Sequence, residues 1–194
     1  MALSRTGDWA RARELLSNTS GRLKGAVERA MKQEAHALRN EVVSGLTAQA
    51  PGGEPIRPPA PLTVAARQLD GFGGTKSLLV RGDLRNAISV IADGDEVFIG
   101  VLRSAKSTGE SLADIAQIQE FGGPPVIIPI TPKMRRYLAV LFKRAGVPRG
   151  PGSGRGVVVT QVPARPFLRP AFEKFRRGAA QRVLERIARS LELT

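Results

Sequence analysis

The sequence predicts an α+β fold: a long N-terminal helix, a small antiparallel or mixed sheet of about four strands, and flanking helices that include a C-terminal one. Two patterns carry this expectation. Apolar residues recur three, four or seven apart near both ends of the 194-residue chain, as in helices buried on one face. Between them, short β-branched runs alternate with turn residues, as in half-buried strands. Helices packed on one such sheet bury both sets of apolar residues.

Residues 8–50 read as helix, with Asp8 able to cap the start. The apolar stripe is Trp9, Ala12, Leu16, Leu23, Val27, Ala30, Met31, Leu38, Val42 and Leu46. Gly21, Gly25 and Gly45 each weaken it by about 1 kcal/mol relative to Ala, so one kinked helix and two helices broken near Gly21 both stand. A helix of about 40 residues is about 60 Å long. A small domain's core cannot cover that length, so part of the stripe is expected to meet another subunit.

Five prolines between positions 50 and 61 exclude helix and central strand there, giving an extended connector over 51–78 with a short helix at 62–69. The loop DGFGG at 70–74 is no nucleotide fingerprint, since no strand precedes it and no helix follows at the required spacing. Residues 88–92 and 95–101 then form a hairpin through the Asp93-Gly94 turn, with Ile88 and Val90 on one face and Val97, Ile99 and Val101 alternating likewise. After a polar loop at 103–110, Ser111 caps a helix over 112–121. Leu112, Ile115, Ala116 and Gln119 line its apolar side, Asp114 and Glu120 belong to its polar face, and Gly122-Gly123 ends it.

Residues 126–130 form a short strand. Thr131 and Pro132 open a helix that Gly146 stops, with Met134, Tyr137, Leu138, Leu141 and Phe142 on one face. A Gly/Pro loop at 146–156 carries Arg149 and Arg155, and 157–162 is a further strand. Pro170 opens the last helix, with Phe172, Phe175, Ala179, Val183, Ile187 and Leu191 on its apolar side. The resulting organisation is a helix over 1–50, a connector over 51–78, and a core over 79–194 holding a helix–loop insertion at 124–162.

Charge is segregated. The chain has 30 Lys+Arg against 17 Asp+Glu, a net of +13, and positions 133–194 hold 15 basic and 3 acidic residues, a net of +12. Arginine dominates, and its planar fork suits phosphate or carboxylate, so the expected partner is acidic: nucleic acid or a protein surface. Contact through the DNA backbone is favoured over base reading. The candidate contact residues are Arg135, Arg136, Lys143, Arg144, Arg149, Arg155, Arg176 and Arg177.

Composition argues against an enzyme. No cysteine is present, which removes thiolate chemistry, disulfides and zinc–thiolate sites. The single histidine, His36, lies mid-helix as a structural or solvated residue, and no multi-histidine metal site can form. Asp93, Asp95 and Glu96 belong to an exposed hairpin tip. No cofactor is expected. No apolar run approaches the roughly 20 residues of a membrane span, and the first residues lack a signal peptide's apolar stretch.

Three segments together resemble the tail-completion and head–tail joining (virion morphogenesis) proteins of tailed bacteriophages. Residues 79–89, LVRGDLRNAIS, are similar to the family's "tG.Lr.Si" entry to its first strand. Residues 114–123, DIAQIQEFGG, are similar to its "YA.i.EfG" helix end. Residues 162–172, VPARPFLRPAF, are similar to its "iPaRPFLrPA" strand-to-helix corner, the most specific of the three. Position 114 is Asp where the family often has an aromatic residue, and the insertion lies between the second and third segments. Gly82, Asp83, Glu120, Phe121, Gly122, Pro163, Arg165, Pro166 and Phe167 are the matching positions. They carry over as structural: Gly82 as a turn, Asp83 as a local cap, Phe167 as a core anchor, and Arg165 paired with Glu120 or a backbone carbonyl.

The resemblance implies a virion structural protein made in the host cytoplasm. It would form a ring, six-fold favoured, at the neck between a portal-side adaptor and the tail tube, with packaged DNA in its channel. Tail terminator, tail completion and head-side connector all stay open, as does the role of 131–156. The rival reading is a basic, sequence-independent DNA-binding protein.

Overall fold

The computed structural model describes residues 9–93, 96–102, 111–148, 150 and 156–191, with side chains from Thr19 onward. Asp8, the 94–95 turn, the 103–110 loop, Arg149 and Arg155 lie outside the described residues.

Helix α1, Trp9–Ala48, is one helix of 40 residues that runs through Gly21 without a break. Packing rather than propensity sustains such a helix: Ala26, Ala30, Ala35, Leu38, Val42 and Leu46 are all buried. From Ala26 to Leu46 most of the stripe is therefore covered by the chain itself, with Val27 and Met31 half-buried. Leu23, just before it, is 45% exposed. Gly45 is a packing device and not merely a weak point, since a Cβ there would lie 2.6 Å from Pro51 Cα.

α1 ends in a Schellman motif, with Ala50 N–H donating to Gly45 O at 2.9 Å and Gln49 N–H to Leu46 O at 3.2 Å. Gln49 takes the left-handed position at φ 61°, where glycine is usual. Its amide compensates. Oε1 accepts from Ser77 N–H at 2.5 Å and Nε2 donates to Ser77 O at 3.0 Å, which pins the far end of the connector to the helix end. The connector itself starts with a 3₁₀ turn, Pro51–Gly53, followed by helix α2, Pro61–Leu69.

Gly82, at φ 84°, caps a one-turn helix α3, Asp83–Asn86, that the sequence pattern did not reveal. Strands β1, Ile88–Asp93, and β2, Glu96–Val101, pair antiparallel with Ile88 opposite Val101 and Val90 opposite Ile99. Helix α4, Leu112–Phe121, is capped by Ser111 Oγ, which accepts from Asp114 N–H at 3.4 Å. Strand β3, Val126–Pro129, precedes helix α5, Pro132–Ala145. Thr131 Oγ1 accepts from Met134 N–H at 3.2 Å, and Gly146 stops the helix at φ 63°.

Strand β4, Val157–Thr160, pairs antiparallel with β3 alone, Ile127 facing Val159. The strands thus form two separate two-stranded sheets and not one sheet of about four. The inserted segment supplies both strands of the second ribbon, so it closes on itself. Gly123 N–H donates to Val162 O at 2.9 Å across its base.

The last helical stretch also departs from expectation. It begins at Leu168, not Pro170, and is divided into α6, Leu168–Arg176, and α7, Ala179–Ser190. Gly178, at φ 77°, makes the break. Pro170 sits in the first turn of α6, where a missing N–H costs nothing. α7 lies along α1, while α6 packs on α1 and on Pro51–Gly53. The core joins Leu38, Val42 and Leu46 to Leu84, Ile88, Ala116, Phe167 and Ala171.

Candidate functional site

The three motif segments meet at one corner, and Glu120 is its hub. Glu120 was expected on the polar face of its helix, but it follows Leu112 and Ala116 at four-residue spacing on the buried face, and the residue is 7% exposed. Oε2 accepts from the N–H groups of Phe167 at 2.8 Å and Leu168 at 3.0 Å, and Oε1 from that of Arg169 at 2.9 Å. These are the free donors of the first turn of α6, so the carboxylate caps that helix and lies at the positive end of its dipole.

Backbone bonds complete the corner. Arg165 N–H donates to Gln119 O at 2.6 Å, and Gly122, at φ 87°, turns α4 into a chain that passes Ala164 and Val162 closely. Phe167 is fully buried, as a core anchor should be, and Leu84 and Ile88 bring the first motif segment into the same core. Pro163 is half-buried and Pro166 exposed. Asp83 does not cap: the N-cap of α3 is Gly82, with no side-chain bond. Of the two partners foreseen for Arg165, the backbone carbonyl holds. Its Nε donates to Arg57 O at 3.1 Å and Nη2 to Pro58 O at 3.4 Å.

The basic surplus of the last third is partly neutralised by the first helix. Arg182 Nε lies 2.6 Å and Arg186 Nε 3.2 Å from the two oxygens of Glu34, and Lys174 Nζ lies 2.6 Å from Glu41. Arg135, Arg136 and Lys143 stay exposed on α5, where Arg144 Nε donates to Gln68 Oε1 at 3.4 Å. Arg176 and Arg177 are exposed at the end of α6. α5 packs on α2, whereas α6 packs on α1, so the candidate cations fall into two groups on different parts of the molecule.

Among the described residues, two apolar surfaces are exposed. Phe98, Phe121 and Phe172, exposed by 54%, 65% and 52%, rim a groove of about 720 Å³ that Leu168 also lines. Phe172 was expected in the core from its helical spacing; in α6 the core-facing positions are instead Ala171 and Phe175, and Phe172, beside them, faces the groove. The second surface is the β3–β4 ribbon, where Ile127 is 67% and Val159 64% exposed. An isolated two-stranded ribbon is marginal in water, and apolar residues at this density mark association surfaces.

A larger cavity, about 1260 Å³, opens between the connector, α2 and the 163–166 corner. Arg57, Arg67, Arg81 and Arg165 line it. Burial holds the Arg165 guanidinium below its ordinary value, with repulsion from Arg57 and Arg67 adding to it, and burial lowers Arg67 in the same direction. Arg57, Arg67 and Arg81 lie outside the basic last third and so outside the candidate contact residues; for Arg57 the available signal was its place between Pro55 and Pro58 in the connector.

Among the described residues no group of three or more His, Cys, Asp or Glu could hold a metal ion. No helix there is long and apolar enough to cross a membrane. His36 is exposed on α1. Compared with known proteins, the chain matches no family model, no curated protein and no solved structure.

Proposed function

We propose that this chain is a structural protein of a tailed-bacteriophage neck, a ring former that joins a portal-side adaptor to the tail tube, with six copies favoured. The observation that carries the reading is the corner held by Glu120. Of three segments picked out only by their likeness to tail-completion proteins, one caps another's helix there, and the third joins them in the same core through Leu84 and Ile88. The bare Phe98–Phe121–Phe172 groove and the apolar β3–β4 ribbon support self-association, because a monomer leaves them in water.

The exposed α5 cations Arg135, Arg136 and Lys143 favour a second reading, a sequence-independent DNA-binding protein. One pair of measurements separates the two. A neck protein forms closed rings in sedimentation velocity and negative-stain images and binds duplex DNA weakly. A DNA-binding protein stays small, binds duplex tightly and loses affinity steeply with salt. Labelled particles that carry the chain anywhere but the head–tail junction would sink the neck reading.

A further inference from the structure

The arginine-lined cavity and the tip of the β1–β2 hairpin are two clusters of like charge and opposite sign on one chain. In the cavity, the Arg57 guanidinium has no hydrogen-bond or ion-pair partner among the described residues, and Arg81 is held only over the Phe72 ring, 4.6 Å from its centroid. Asp70 and Asp83 also line the cavity, yet neither comes within 4.0 Å of an arginine nitrogen, so cations remain in excess. At the hairpin tip, Asp93 and Glu96 are cross-strand partners, both exposed. Like charges directly opposite destabilise a strand pair. Each cluster is therefore unfavourable in an isolated molecule and would be relieved by the other.

They do not meet within this molecule, where no ion pair joins Asp93 or Glu96 to an arginine among the described residues. Leu84, beside the base of β1, forms part of the cavity wall. A six-residue strand carries the tip about 20 Å from that base. The contact must join different copies, and a contact between two unlike surfaces of identical chains is head-to-tail, the kind that closes into rings.

We propose that the cavity lined by Arg57, Arg67, Arg81 and Arg165 receives the Asp93 and Glu96 carboxylates of a second copy of this chain. The proposal rests on the ring reading above for the presence of neighbouring copies.

The test uses two full-length charge reversals, Asp93→Lys/Glu96→Lys and Arg57→Glu/Arg81→Glu. These positions leave the Arg165 and Arg67 backbone bonds intact, and an unchanged unfolding midpoint shows that each variant folds. Should the tip reversal lower that midpoint, Asp93→Asn/Glu96→Gln replaces it, and should the cavity reversal do so, Arg57→Gln/Arg81→Gln replaces it, each then read for weakened assembly alone. Sedimentation velocity is read for each protein alone and for an equimolar mixture. The expected result is that each reversal alone needs at least tenfold more protein to assemble, and that the mixture recovers wild-type assembly, since every tip then finds an opposite cavity. Wild type and both variants assembling alike would overturn this contact while leaving the ring intact. A wild type that is monomeric throughout would overturn both. If Arg57→Glu/Arg81→Glu weakens binding of a labelled duplex but not assembly, the occupant is a phosphate backbone and the proposal fails.

Discussion

Arg182 reaches back 148 positions to Glu34, its Nε 2.6 Å from one carboxylate oxygen. Arg186 takes the other at 3.2 Å. Arg182 also donates to the Arg177 and Phe175 carbonyls at 3.1 and 2.6 Å and lies over the Phe175 ring. One side chain therefore fixes the α6–α7 turn and fastens α7 to α1.

Removing the acid leaves two guanidiniums facing each other. Glu34→Ala is expected to cost about 1–3 kcal/mol, because the carboxylate is nearly buried and both partners lose it. At about 2–4 °C per kcal/mol for a chain of this size, thermal melts would fall by several degrees. Hydrogen exchange in α7 would rise first. An unchanged melt would mean the pair contributes nothing.

Glu120→Gln tests the corner. The amide keeps one acceptor and points N–H groups at backbone N–H groups, so about 2 kcal/mol of stability is expected to go. The amides of Phe167, Leu168 and Arg169 should lose protection more than the rest of α6. Uniform loss across the chain would contradict the cap.

Glycines in this chain should respond oppositely to alanine. Gly45→Ala meets Pro51 Cα at 2.6 Å, and Gly52→Ala, at φ 67°, runs into the Pro170 carbonyl. Each is expected to destabilise by about 1–3 kcal/mol. Nothing lies within 4 Å of a Cβ at Gly21, so Gly21→Ala should stabilise by up to about 1 kcal/mol. Chemical denaturation of the three variants checks the contrast in sign.

Phe121→Ser separates stability from association. Phe121 is 65% exposed, so the folded monomer should change by only about 0.5 kcal/mol. Self-association, followed by light scattering against concentration, should weaken clearly. Equal association of the variant and the parent would remove the groove from the assembly.

If DNA is met at all, Arg135→Ala/Arg136→Ala should lower the slope of log affinity against log salt by up to about 2, without changing sequence preference. A slope equal to that of the parent would place DNA elsewhere on the surface.

How much of this was legible depends on whether neighbours in sequence decide it. Ser111, Thr131, Gly82 and Gly146 cap or turn by local geometry, and all four do so as read. The β1–β2 pairing follows from alternation between adjacent runs. Glu120 could not be read this way. Its spacing from Leu112 and Ala116 puts it on the buried face, but a lone carboxylate there argued for solvent, and only the arrival of residues 167–169 makes its burial favourable. Phe172 failed likewise, since its spacing was read along one continuous helix to Leu191, whereas Gly178 divides it and α6 turns Ala171 and Phe175 to the core. The count of about four strands was close, but pairing partners are set across the whole chain, and the insertion supplied its own. The charge of the last third was plain in composition; its partial neutralisation by Glu34 and Glu41 was not, because those acids lie more than 130 positions away.

The hydrogen bond between Gly123 and Val162 has a consequence for how this chain can change. The segment between them departs from and returns to the same spot, so it behaves like a cartridge seated in a fixed socket. Lineages could lengthen, shorten or swap it while α1, the first hairpin and the Glu120 corner keep their places. For the experimenter, an affinity handle or a fluorescent domain belongs within the segment and away from this base, where Gly122 and Gly123 pack closely against Ala164 and Val162.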